Sequence, residues 1–382
     1  MSTVKAASFQ HPSSTEVNLA LAADGTVSGG LPVANRNLLY NGAMQVAQRG
    51  TSTAGITTTG YYTADRWQFG VTAGAMGTWT QSVVSEGPTG SGFTKSFKML
   101  CTTAQASPAA SSQMYISQKL EGQDVQRIAK GTASAQQLTL SFWVRSNVTG
   151  TFAVMLYDSD NGRSISDNYT VNVSGAWESK TVTFSADTSG TLSNDNGLSL
   201  TLYFALAAGS DFTSGTTGSW ASYADANWMP GQTNLAAVNN YWQVTGVQLE
   251  TGPVATEFEH RSFGDELARC QRYYQKFGGS VSNECLFVGT CTTASSAQIV
   301  PTYASMRAIP TFEHSGTVSH FRCLLPGIIG NDVSGFTWSS AGTNSGILEL
   351  SFSSSASYSS GKAVFFTAND ASLPWVAFSA EL

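Results

Sequence analysis

"LTLSFWVRS", residues 138–146, sets Leu138, Leu140, Phe142 and Val144 at every second position, with Thr139, Ser141, Trp143 and Arg145 between them. Successive side chains of a strand point to opposite faces, so this stretch reads as a strand with one unbroken apolar face. "LSLTLYFAL", 198–206, repeats the pattern through Leu198, Leu200, Leu202, Phe204 and Leu206. Those two faces are expected to meet in one core. Outward from them, "FAVMLY" (152–157), "TVTFS" (181–185) and "YWQVTGVQL" (241–249) are further strand-like runs, separated by Gly, Ser, Asn and Asp clusters. Short strands with turn signals between them predict an antiparallel β-sandwich of jelly-roll type over 36–261.

The opposite faces carry Trp143 and Arg145 on one strand, Tyr203 on another, and Met155 and Tyr157 on a third. Exposed apolar patches mark contacts, so these faces read either as cover for a neighbouring loop or subunit or as a platform for a glycan. The loop "GSWASYADANWMPG" (218–231) adds Trp220, Tyr223 and Trp228 among small residues. Aromatic rings flanked by Asp or Asn are what the apolar C–H faces and hydroxyls of a sugar require; the alternative is that these rings plug the end of the sandwich.

One segment breaks the β pattern. In "SFGDELARCQRYYQKF" (262–277), Ser262 with Asp265 three residues on approximates a capping box, and acid in the first turn with Arg272 and Lys276 later suits the helix dipole. The spacing predicts a helix of about 15 residues, roughly 22 Å long. Phe263, Leu267, Cys270, Tyr274 and Phe277 fall at heptad steps, a seam that suits self-association about an axis, with packing onto the parent domain as the alternative. Beyond it, "ECLFVG", "HFRCLL", "ILELSFS", "KAVFFTA" and "WVAFSAEL" predict a second, smaller sandwich over 278–382. Before the first sandwich, "EVNLALAADGTV" alternates Val17, Leu19 and Leu21 ahead of an Asp24-Gly25 turn signal, a strand or hairpin that must lean on something else, with a frayed terminus as the alternative.

Composition narrows the function classes. The chain has 382 residues, 41% apolar but only 12% charged, and a formal net charge of -6 with 19 Lys+Arg. Without a basic run it is not expected to bind nucleic acid, whose affinity comes from neutralising phosphates. No run approaches the roughly 18 apolar residues of a membrane span, and "MSTVKAASFQ" has no apolar signal core, so a cytosolic, soluble product is expected. Cys101, Cys270, Cys285, Cys291 and Cys323 show no C-x-x-C spacing and read as small core residues, not disulfide or zinc ligands.

Catalytic signals are sparse. There is no H-E-x-x-H, G-x-S-x-G, Walker or dinucleotide pattern, and no enzyme or cofactor is expected. Glu257 and Glu259 in "TEFEH" would share a strand face about 6.6 Å apart, near glycosidase spacing, although charges at a strand end are usually solvated edge residues. "DSDNG" (158–162) begins like a calcium loop but has Tyr169 where position 12 needs a glutamate, and Gln45, Gln48 and Gln248 stand where a sandwich calcium site would want carboxylates. No metal is expected.

Four stretches carry a resemblance: "NLLYNGAMQVAQRGTS" (37–52), "YTADRWQF" (62–69), "GVQLETGPVATEFEHRSFGDELARCQRYYQKF" (246–277) and the terminal "FSAEL". They are similar to the receptor-binding tail fibre proteins of tailed bacteriophages, especially those with a carbohydrate-binding-module-like jelly roll. The resemblance implies a homotrimeric virion adhesin made in the host cytoplasm. Residues 1–35, with Val17, Leu19 and Leu21, would attach to a tail, adaptor or proximal-fibre protein. The sandwiches would hold bacterial surface polysaccharide or lipopolysaccharide without cleaving it. The rivals are a structural head-fibre, collar or decoration protein, and a polysaccharide depolymerase or esterase.

Overall fold

In a computed structural model the alternation resolves into paired antiparallel sheets. The structure describes residues 8–9, 19–21, 27–28, 35–72, 76–325, 330–355, 357–369 and 373–382. Met1–Arg36 is one compact unit and Asn37–Leu382 another. In the first, Leu19–Leu21 is the middle strand of a small antiparallel sheet between Ser8–Phe9 and Val27–Ser28, which places Leu19 and Leu21 on a strand; Val17 lies outside the described residues.

The second unit begins with the expected sandwich. One sheet runs in the order Glu178–Phe184, Leu138–Ser146, Tyr241–Thr251, Ser96–Thr103, Thr78–Val84, Ser52–Ile56. The other runs Ala221–Ser222, Arg163–Val171, Gly150–Asp158, Leu198–Ala208, Gln113–Glu121, Gln68–Thr72, Gly60–Tyr61. Leu138, Leu140, Phe142 and Val144 are buried, as are Leu200, Leu202, Phe204 and Leu206. The two quoted strands face each other across the core, with the Phe142 and Phe204 rings edge to face at 5.1 Å. Trp67 and Trp242 close on the same Phe204 ring at 6.2 and 5.4 Å, filling the space between sheets with large rigid side chains.

After residue 278 the smaller β-region takes the form of a closed barrel. Its strands are Cys285–Cys291, Ser296–Ile299, Ile347–Phe352, Asn331–Ser339, Phe321–Leu324 and Ala363–Ala368. Closure removes the unpaired edges that two short open sheets would expose. Beside it stands a three-stranded sheet of Tyr274–Gly278, Trp375–Ser379 and Thr311–His314. Four of the five cysteines are buried as expected, whereas Cys285 is exposed on the barrel.

The helix is shorter than its heptad spacing implies. Its start is as expected: Ser262 caps it, accepting from the Asp265 amide at 3.1 Å, with Asp265 and Glu266 in the first turn. It spans only Phe263–Gln271, and Tyr274–Gly278 pairs with the end of the chain, Tyr274 opposite Ser379 and Phe277 opposite Val376. The continuous seam is therefore corrected. Cys270 and Tyr274 are buried inside their own chain, and Phe277 packs on Phe287 at 5.0 Å and Phe378 at 5.9 Å. Leu267 is half-buried, and of the five only Phe263, 58% exposed, faces outward.

Where the helix ends, a cationic cluster from the sandwich meets it. Arg66 lies 3.4 Å from the Tyr273 ring centroid and Arg49 3.5 Å from that of Tyr274, so the tyrosine in the turn after the helix and the one that opens the strand each stack on a different guanidinium. Arg66 is fully buried, sits at φ 72°, donates to the Lys119 carbonyl at 2.6 Å, and is ion-paired with Glu381. Glu381 also meets Arg49 at 3.3 Å, and Lys119 Nζ donates to the Leu382 carbonyl at 2.6 Å. Burial works against the Arg66 charge, but Glu381 outweighs it and holds the guanidinium above its ordinary range. Arg272 adds a bidentate bond to the buried Glu121 at 2.8 and 2.7 Å.

Two predictions follow from this junction. Glu381→Gln leaves Arg66 buried without its counter-charge and is expected to cost about 3–5 kcal/mol in chemical denaturation; a cost under about 1 kcal/mol would show that the pair does not hold the junction. Asp65, buried beside it, is raised by burial to about 6 despite Arg49 and the Gln48 bonds. A raised carboxyl favours folding at pH values below its unfolded value, and that contribution disappears as pH rises through about 6. Comparing Asp65→Asn with the parent from pH 4 to 7, the parent should lose roughly 3 kcal/mol relative to the variant as pH rises; parallel curves would refute the assignment.

Candidate functional site

On the outer face of the seven-stranded sheet, three adjacent strands present aromatic side chains. Tyr157 comes from Gly150–Asp158, Tyr203 from Leu198–Ala208 and Tyr115 from Gln113–Glu121. Their outward direction follows from alternation: Leu156, Phe204 and Ile116, each a neighbour of one of the three, point into the core. Gly70 lies opposite Tyr115 in the next strand, and a Cβ there would fall 2.1 Å from the Tyr115 ring. The bare glycine lets that ring lie across the sheet, where it meets Tyr203 edge to face at 4.9 Å.

The long loop after Leu198–Ala208 folds back over this face. Phe212, Trp228 and Met229 pack on Ala153, Met155 and Ala205 in a small cluster of their own. The loop is pinned by backbone bonds from Met229 to the Phe212 carbonyl at 2.9 Å and from Gly215 to the Ala226 carbonyl at 2.7 Å. Trp228 donates its indole N–H to Gln113 Oε1 at 2.8 Å and is only 4% exposed. Around this buried post stand Tyr203 at 5.0 Å, Tyr223 at 5.2 Å and Tyr157 at 6.0 Å, all edge to face.

The result is an open depression of about 160 Å³ lined by Gln113, Tyr115, Tyr157, Tyr203, Tyr223 and Trp228. Four of the six residues expected from the sequence to face a glycan, Tyr157, Tyr203, Tyr223 and Trp228, are thus brought together. Tyr115 and Gln113 are additions, and the outward position of Tyr115 between Met114 and Ile116 is the signal that would have found it. No lining side chain carries a formal charge. Burial raises the hydroxyls of Tyr115, Tyr203 and Tyr223 above the usual phenol range, with Asp225 adding to the effect at Tyr223. The rim therefore offers neutral hydroxyls that donate and accept, set among apolar ring faces.

The remaining two lie elsewhere. Trp143 is half-buried on the outer face of the other sheet, opposite Ser179 and Thr245. Trp220 takes the plugging role: it packs against the sandwich core and donates to the Ser185 carbonyl at 2.8 Å. Beneath it, Lys130 Nζ lies 2.5 Å from Asp158 Oδ2 and 3.0 Å from Asp187 Oδ2, and donates to the Ser189 and Gly190 carbonyls at 2.8 and 3.0 Å. The first aspartate of "DSDNG" thus faces an ammonium supplied by the chain itself.

Glu257 and Glu259 are not on a strand, since the backbone after Thr251 leaves the sheet. Glu259 instead accepts from the Asn37 amide at 2.8 Å and pairs with Arg261 at 3.2 Å, tying the start of the sandwich to the segment before the helix. The shared-face geometry expected of this pair is therefore corrected. Among the described residues, no group of three or more His, Cys, Asp or Glu side chains is placed to hold a metal ion, and no helix is long and apolar enough to cross a membrane.

No protein-family model matches the chain, and no curated protein matches it in sequence. Among solved structures it is similar to the enzymatically active domain of tailspike protein 4 of bacteriophage CBA120, with TM-score 0.33 and 12% identity, covering 56% of this chain and 21% of that one. The chain thus spans about a fifth of that tailspike. It is also similar to a family 11 carbohydrate-binding module from Clostridium thermocellum in complex with a mixed-linked tetrasaccharide, with TM-score 0.28 and 13% identity, covering 54% of this chain and 98% of that one. A cyclase from Fischerella sp. TAU gives TM-score 0.30 and 14% identity, covering 59% and 98%. At these scores none of the likenesses identifies a family or an activity for the chain.

Proposed function

We propose that this chain is a virion fibre adhesin of bacteriophage type, which holds a bacterial surface glycan, without cleaving it, at the depression around Trp228. The observation that carries the reading is the grouping of five aromatic rings and one amide, with no charge, at an open site. Sugar rings pair apolar C–H faces with a rim of hydroxyls, and rings interleaved with phenol and amide groups complement both parts. A volume of about 160 Å³ is well below the roughly 300–1,000 Å³ of pockets that enclose drug-sized ligands. The site therefore suits one terminal or projecting sugar ring, not a buried chain. In this reading the N-terminal unit docks on another virion protein, and the fibre is a homotrimer built through surfaces other than Cys270, Tyr274 and Phe277.

A second reading, a purely structural virion component, draws on the same openness, because exposed aromatic patches also serve subunit contacts. Tyr223 separates the two. It is 37% exposed, so Tyr223→Ala should leave the thermal midpoint nearly unchanged while weakening binding to a matching polysaccharide or lipopolysaccharide about fivefold, roughly 1 kcal/mol of ring contact. The polymer's length should stay constant during incubation. Unaltered glycan binding in the variant, with a lower mass by light scattering, would favour the structural reading; polymer shortening would favour a depolymerase.

A further inference from the structure

We infer that a second cleft, between residues 41–45, the Gly92–Phe93 turn and the start of the helix, is a separate binding site for a neutral sugar ring. It shares no residue with the depression around Trp228, encloses about 240 Å³, and is lined by Phe93, Phe258, His260, Phe263, Gln45 and Glu266 among others.

The walls are aromatic and fixed. Phe93 meets Phe258 edge to face at 4.9 Å and stacks on His260 at 5.3 Å, while Phe258 and His260 meet at 4.9 Å. Gly246, at φ +63°, gives Phe93 its seat, because a Cβ there would lie 2.6 Å from the ring and displace it. Phe263, 58% exposed, forms the outer lip. Phe258, His260 and Phe263 belong to "TEFEHRSFGDEL" and Gln45 to "NGAMQVAQ", segments the sequence singles out.

The polar groups set the ligand class. Arg261 donates to the Leu39 carbonyl at 2.9 Å and the Asn37 carbonyl at 2.6 Å, and its Nη1 stands 3.6 Å from Glu266 Oε2. Glu266 Oε1 accepts from the Asn41 amide at 2.5 Å. Arg261 also pairs with Glu259 at 3.2 Å, so its one positive charge is shared between two carboxylates, all three groups are held by the fold, and the cleft disfavours an anion. Glu266 Oε2 accepts no hydrogen bond among the described residues, and the half-buried Gln45 amide has no partner there. Unused acceptors and an amide donor beside ring faces fit the hydroxyls and C–H faces of an uncharged sugar; a wholly apolar ligand would leave them unsatisfied.

The test uses the full chain carrying Tyr223→Ala, which weakens the first depression about fivefold, titrated calorimetrically with the methyl glycosides of glucose, galactose and N-acetylglucosamine. At least one probe should still bind, and adding Phe263→Ala or Gln45→Ala should weaken it about tenfold while thermal unfolding is unchanged. The inference is overturned if none of the three binds the Tyr223→Ala chain, or if binding persists undiminished in both added variants. Binding lost on Tyr223→Ala alone would leave only the first depression standing; binding insensitive to Tyr223→Ala but lost with Phe263→Ala would leave only this cleft.

Discussion

A guanidinium without water needs a counter-charge, and Arg66 finds its own in Glu381, the next-to-last residue of the chain. Burying an arginine unpaired is prohibitive, so the sandwich that contains Arg66 is complete only once the C-terminal strand has brought Glu381 to it. The same pairing sets the positions of Tyr273 and Tyr274, which ends the helix and begins the small sheet. Sandwich, helix and barrel are thereby one folding problem, consistent with Asn37–Leu382 behaving as one compact unit. The stretches that carry the resemblance to phage fibres converge here: Arg49 from the first, Asp65 and Arg66 from the second, Arg272 and the tyrosines from the third, Glu381 from the last.

The candidate binding surfaces use different physics from that junction. Around Trp228 the interactions are ring edges against ring faces on a rigid sheet, with neutral hydroxyls at the rim. In the second cleft, the charged groups are held by backbone groups and by one another, leaving an amide, an acceptor and four rings. Under the proposed function, weak individual contacts of this kind would gain from repetition, since two sites on one chain, multiplied by copies in a fibre, would raise avidity without new contacts. The low charge suits that proposal, because a surface that engages uncharged sugars gains little from long-range electrostatics.

Much of the architecture was legible locally. Alternation in 138–146 and 198–206 implied two facing strands, and Phe142 does meet Phe204. The Ser262–Asp265 cap marked the helix start because capping is decided within one turn. The outward faces disclosed Tyr157 and Tyr203, and the composition of 218–231 disclosed Tyr223 and Trp228. The same reasoning placed Trp143 and Trp220 with them, and it could not do otherwise: alternation says which face a residue occupies, not which sheet the strand joins.

What the sequence by itself determined is therefore the all-β class, the inward and outward sets of each strand, and the helix start, all of which depend on neighbours within a few residues. Only the tertiary structure decided where the helix stops, that Trp228 is a buried post instead of an exposed platform, and that Gly70 makes room for Tyr115. Each of those depends on a partner tens or hundreds of positions away, and a heptad spacing or an aromatic loop reads the same whether or not an arginine is waiting for it.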